Sequence, residues 1–127
     1  MAKNLILVDS CVLIRAFRRD VEANNDLKAI DHRTAYSDIT RLELQVGANT
    51  SAKKAAISQI FDSYYRVPLT PKITETAIQI MQTYITGQKV ISVPDSLIAA
   101  TSIVSGYPLL TYNKKDFDFI AGISFFK

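Results

Sequence analysis

Five short apolar runs, each parted from the next by a segment of helical character or loop, constrain this chain more than anything else in it. The runs are Leu5–Val8, Ala35–Tyr36, Tyr65–Val67, Leu109–Thr111 and Ser124–Phe126. Helical candidates cover Cys11–Arg19, Ile39–Ala48, Ala52–Tyr64, Pro71–Thr86 and Asp95–Ser105. Strands alternating with helices predict an α/β fold: a mostly parallel central sheet of about five strands, with helices on both faces. Thr70 before Pro71 reads as an N-cap followed by proline at the first helical position, and Gly106 after Ser105 reads as a helix stop. Val21–Asp31 is polar, lacks strong periodicity and is predicted as the loosest segment.

With 127 residues the chain fits one domain spanning residues 1–127, and 48% hydrophobic with 21% charged residues describes a protein that folds around its own core. No apolar run approaches the roughly 18–20 residues of a membrane span, and the N-terminal MAKNLILVDS reads as fold rather than cleavable signal, so the expected location is cytoplasmic. The single cysteine, Cys11, excludes an internal disulfide and a cysteine-built zinc site, and is read as a small buried apolar residue. The single histidine, His32, lies in a polar segment and is expected to be solvated. A net charge of +3 permits a nucleic-acid partner without demanding one. Arg15, Arg18 and Arg19 share a helical face by spacing, and Lys114 and Lys115 form a basic pair. Each is a candidate contact for RNA or a protein partner; a solvated helix face explains them equally well.

In an open parallel sheet, ligands bind beyond the carboxyl ends of the strands. Asp9 follows the first apolar run directly, in LILVDSCVLIRAF, and Thr111, Asn113 and Asp116 follow Leu109–Leu110. Two further acids have unusual settings: Glu43 in ITRLELQVG, four residues before a Gly47 expected to permit close packing, and Asp95 in VPDSLIAA at a helix start. Each has an ordinary explanation. Asp9 or Ser10 could cap the first helix, Asp95 could complement a helix N-terminus, Asp116 could cap its own turn, and Glu43 could be a surface residue.

Gathered on one edge, the four acids require something more. Two like charges about 4 Å apart repel by about 4 kcal/mol at an effective dielectric of about 20, so a cluster of carboxylates needs a cation. An all-oxygen donor set suits Mg²⁺ or Mn²⁺, which keep several waters and bind substrate phosphates. Metal-assisted hydrolysis of a phosphodiester is the natural chemistry of such a site.

In their order, VDSCVLI, the glutamate of ITRLELQVG and PDSLIAATSIVSGYPLLTYNKKDF closely resemble the PIN-domain ribonucleases, in particular the VapC-type toxins of bacterial toxin–antitoxin pairs. The resemblance covers nearly the whole chain, except that Arg18–Arg33 matches nothing usable. It implies a single PIN-like domain in which Asp9, Glu43, Asp95 and Asp116 bind Mg²⁺ or Mn²⁺ and catalyse RNA hydrolysis. Ser10 then starts the helix beneath Asp9, and Thr111 and Asn113 match positions that support the fourth carboxylate. A homodimer and a cognate antitoxin, whose C-terminal segment fills the groove, are also implied. The competing expectation is a catalytically silent PIN-like module that holds RNA or a protein. A receiver-type phosphotransfer domain fits poorly, because VDS offers one acid where such domains pair two.

Overall fold

The computed structural model describes residues 4–85, 87 and 90–127. Its elements run β1 (Ile6–Val8), α1 (Ser10–Phe17), α2 (Val21–Ala29), β2 (Thr34–Ser37), α3 (Asp38–Gln45), α4 (Ser51–Asp62), β3 (Tyr65–Val67), α5 (Pro71–Tyr84), α6 (Val93–Ser105) and β4 (Leu109–Leu110), followed by a 3₁₀ turn at Lys114–Asp116. The strands form one sheet in the order β3-β2-β1-β4, and every neighbouring pair is parallel.

Side chains of a strand alternate between the two faces of its sheet, and here the alternation divides the core in two. Leu7, Ala35 and Leu109 face α5 and α6, where they join Ile73, Ile98 and Phe117. Ile6, Val8, Tyr36 and Leu110 face the other way, against Val12, Leu13, Leu44 and Phe61. Both faces of β1 are therefore covered, which is why its sequence is a continuous apolar run rather than an alternating one.

The chain steps from β1 to β2 to β3 in one direction, then returns through α5 and α6 to place β4 on the far side of β1. The reversal falls between β1 and β4, and the crevice beyond their carboxyl ends is where an open α/β sheet receives its ligand. Asp9 leaves β1 at that point, and its backbone N–H donates to the Leu110 carbonyl of β4 at 3.0 Å.

The helix signals hold locally. Thr70 accepts from the Ile73 N–H with Pro71 at the first helical position, and Gly106 closes α6 at φ 77°. The predicted end of the Pro71–Thr86 helix, Thr86, lies outside the described residues, as does the Met1–Lys3 part of the N-terminal segment. Two departures concern the elements. Ser124–Phe126 contributes a single parallel bridge, Leu109 to Phe125, so the sheet has four strands and an added bridge instead of five strands. The segment read as loosest carries α2, capped by Asp20, whose carboxylate accepts from the Ala23 N–H at 3.0 Å.

Candidate active site

Asp9 is the anchor of the site. It is buried at 5% exposure, and it is the N-cap of α1, accepting from the Ser10 N–H at 2.9 Å. Its other oxygen accepts from the Thr111 hydroxyl at 2.8 Å, a bond that ties the exit of β1 to the exit of β4. The Thr111 oxygen in turn accepts from the Asn113 N–H at 3.1 Å. Thr111 thus bonds the first carboxylate, while Asn113 links Thr111 to the turn that carries the fourth. Asp116 stands exposed at the end of the 3₁₀ turn, with its N–H bonded to the Asn113 carbonyl at 3.0 Å.

Glu43 arrives from α3 and Asp95 from α6. Partial burial pushes the Glu43 carboxyl above its ordinary pKa; the negative charges of Asp9 and Asp95 add to the rise, and a hydrogen bond with Ser10 opposes it. Partial burial likewise raises Asp95, with Asp9 and Asp116 adding to the rise and a hydrogen bond with Ser92 opposing it. Ser92 caps α6 by accepting from the Asp95 N–H at 3.2 Å, which fixes the aspartate in the helix's first turn. The four predicted acids are therefore close enough to feel one another's charge, although they come from four separate stretches of chain. Among the described residues, no lysine or arginine forms an ion pair with Asp9, Glu43 or Asp95.

The donor set fits a hard divalent cation, since it is oxygen-only and carries uncompensated negative charge. Among the described residues, no three acidic, histidine or cysteine side chains converge as a ready-made cage.

Several other expectations change. Cys11 is half-buried instead of lost in the core: its Sγ lies 3.5 Å from an Asp9 oxygen and accepts from the Tyr112 N–H at 3.5 Å. Burial, followed by the charge of Asp9, raises its thiol pKa, which keeps it protonated. Gly47 permits no close approach, because a Cβ there would meet nothing within 4 Å. The shared face of Arg15, Arg18 and Arg19 does not form, since α1 ends at Phe17 and Arg19 turns away at φ 63°. Arg15 instead lies over the Tyr112 ring, 4.6 Å from its centroid, and pairs with Glu22 at 3.7 Å. His32 is solvated as expected, with its side chain 91% exposed.

Sequence reasoning missed the network that holds α2 to the site wall. The Tyr112 hydroxyl donates to Asp26 at 2.5 Å, and Lys127 reaches Asp26 at 3.0 Å and Glu22 at 3.3 Å. Its only sequence trace is acids spaced four apart in an otherwise unpatterned segment.

Two cavities flank the carboxylates. One of about 640 Å³ includes Arg15, Thr111, Tyr112, Lys114 and Asp116 in its lining. The other, about 530 Å³, meets Glu43 but is walled mainly by aliphatic and aromatic carbon from Ile14, Phe17, Leu44, Ala56 and Ile57, with Arg18 and Lys53 at its rim.

Residues 6–123 match the family model described as the PIN domain. Among solved structures, the chain is 29% identical to a chain of a toxin–antitoxin complex from Klebsiella pneumoniae, with TM-score 0.79 over 93% of this chain and 94% of that one. A chain of DNA-bound VapBC from Salmonella typhimurium superposes with TM-score 0.86 at 19% identity, covering 97% of both chains. A chain of VapBC-1 from nontypeable Haemophilus influenzae gives TM-score 0.83 at 19% identity, covering 95% of this chain and 96% of that one. The last two likenesses concern the fold. No curated protein matches the chain.

Proposed function

The chain belongs to the PIN-domain family, and from that premise we propose that it is a metal-dependent endoribonuclease, the VapC-type toxin of a bacterial type II toxin–antitoxin pair. One observation carries the proposal. Glu43 feels the charges of Asp9 and Asp95, and Asp95 those of Asp9 and Asp116, so that Glu43 and Asp95 are pushed upward in pKa, with burial leading, instead of being relieved by a cationic side chain. Asp26 and Asp38, which fasten elements together, are by contrast each given a cationic partner.

In this proposal Asp9, Glu43, Asp95 and Asp116 hold Mg²⁺ or Mn²⁺. When bound, such an ion polarises the scissile phosphate and makes water a better nucleophile at neutral pH. Asp9 is fixed for its task by Thr111 and by the first N–H of α1, so little reorganisation is needed when the substrate arrives. A carboxylate of the quartet accepts the proton released by the attacking water.

The 29%-identical neighbour supports the biological setting, since it is a chain of a toxin–antitoxin complex. The proposed partners are accordingly an RNA substrate, a cognate antitoxin and a second copy of the chain in a homodimer. Among the described residues, no helix is long and apolar enough to cross a membrane, which agrees with a proposed cytoplasmic location.

The test is cleavage of a labelled bacterial RNA pool by partner-free protein with Mn²⁺ or Mg²⁺. Discrete products that disappear in EDTA and with Asp9→Asn are expected. Intact RNA across targets and metals would transfer the chain to the silent binding modules of the same fold.

A further inference from the structure

The two cavities beside the carboxylates differ in chemistry, and the difference tells where the rest of an RNA strand goes. The larger one is contiguous with the site: Asp116 is part of its lining, and so is Thr111, which is bonded to Asp9. Its floor is the Tyr112 ring with the Arg15 guanidinium over it at 4.6 Å. Tyr112 is held from three sides, by the bond to Asp26 at 2.5 Å, by its N–H on Cys11 at 3.5 Å and by Arg15. The Arg15 side chain is still 48% exposed, and its pair with Glu22 at 3.7 Å is of the exposed kind that competes weakly with other contacts. Lys114, exposed, stands on the same wall, where its amine donates to the Lys127 carbonyl and lies 5.5 Å from the Phe125 ring centroid, surface contacts that a phosphate can replace.

Unpaired bases stack on aromatic rings and on arginine planes, while lysines neutralise the phosphates that follow. The smaller cavity offers mainly hydrocarbon beside Glu43; Phe17 and Arg18 line it, but among the described residues no arginine is stacked on the Phe17 ring as Arg15 is on Tyr112. Building on the ribonuclease proposal, we propose that the larger cavity is a nucleotide subsite: a base next to the scissile phosphate stacks on the Arg15–Tyr112 pair, and Lys114 holds its phosphate. A volume of about 640 Å³ leaves room for a nucleotide and the water around it. The strand therefore crosses the carboxylates toward α2 and not toward α4.

The experiment is fluorescence anisotropy of a labelled single-stranded RNA ten-mer of mixed sequence, in EDTA so that metal-dependent cleavage is off, over a range of salt concentrations. Lys114→Gln is expected to weaken binding and to flatten the slope of log Kd against log salt by about 0.7, the value of one phosphate contact on a single strand. Arg15→Lys keeps the charge and removes the plane, so it should leave the slope unchanged and weaken binding about fivefold or more. Lys53→Gln, at the other cavity, should bind as wild type does. Wild-type affinity in both Lys114→Gln and Arg15→Lys overturns the subsite, as does a loss of affinity confined to Lys53→Gln. Mn²⁺-dependent cleavage by the wild type, assayed in parallel, separates the two claims. Cleavage with cavity-independent binding defeats the subsite alone, whereas cavity-dependent binding without cleavage upholds the subsite as an RNA-binding surface and defeats the nuclease.

Discussion

Asp38 and Glu43 belong to the same eight-residue helix, α3, and meet opposite surroundings. Asp38 accepts from Arg66 at 2.6 and 3.0 Å and from the Leu69 N–H at 3.2 Å, and these bonds, led by Arg66, hold its carboxyl below the usual range. Glu43, little more than a turn later, looks into a crevice of other acids and is pushed above the usual range by burial and by their charge. Asp26 resembles Asp38: burial alone would raise it, but hydrogen bonds from Tyr112 and Lys127 outweigh that and lower it. Two sets of acids thus stand apart: Asp26 and Asp38 are each given a cation, whereas among the described residues Asp9, Glu43 and Asp95 pair with no lysine or arginine. The first group fastens elements together. In the second, Asp9 still caps α1 and joins the exits of β1 and β4, but among the described residues no lysine or arginine pairs with Asp9, Glu43 or Asp95 to relieve their repulsion.

The largest expected effect lies in the second group. Asp9→Asn should reduce RNA cleavage by more than about 100-fold, beyond the 10–100-fold typical of losing a residue behind a metal ligand. Thr111→Val tests the next layer: without the hydroxyl that holds Asp9, Mn²⁺ affinity and cleavage should both fall by about 10–100-fold, while Thr111→Ser restores most of each. Activity unchanged in Thr111→Val would detach the β4 exit from the site.

The first group should respond in stability and not in cleavage. Asp38→Asn is expected to lower the melting temperature by about 3 °C at neutral pH and leave turnover as it was. Because the folded-state pKa of Asp38 is depressed, its contribution is fully present above the ordinary value of 3.8 and fades as pH falls through the lower folded value. Glu43→Gln gives the smallest effect and the opposite sign: a rise of about 1 °C at pH 7, since a repelled carboxylate is removed. A raised folded pKa means the cost of ionisation is complete above that value and absent below the ordinary 4.5, so the gain should vanish in acid. Equal and same-signed shifts for Asp38→Asn and Glu43→Gln would erase the distinction between the groups.

The part of this division that could be read from sequence is the part carried by apolar pattern. Asp9 and the Leu109–Thr111 exit were placed on one edge because the runs before them, Leu5–Val8 and Leu109–Leu110, are buried on both faces and announce themselves. Helix ends set by local chemistry, such as Thr70–Pro71 and Gly106, were equally clear. What escaped was held by polar contacts across long separations. In α2 only Ala23 is buried, and the helix is fastened by Asp26 to a tyrosine 86 residues away, so no apolar period betrays it. Thr111 bonds Asp9 across 102 residues, a pairing that no local pattern announces. Arg19 fell out of its predicted helical face because its left-handed backbone ends the helix, and nothing in RAFRRD marks that conformation in advance.

The most direct test of a crevice that waits for a cation is the melting temperature of partner-free protein titrated with MnCl₂, beside Asp9→Asn. Wild type should melt progressively higher as the ion fills the site, by about 2.7 kcal/mol of stability at 100 times its Kd, and return to the starting value in EDTA, while Asp9→Asn shows little or none of the rise. A wild-type melting temperature that is indifferent to millimolar Mn²⁺ and Mg²⁺, or a rise of the same size in Asp9→Asn, would contradict the account.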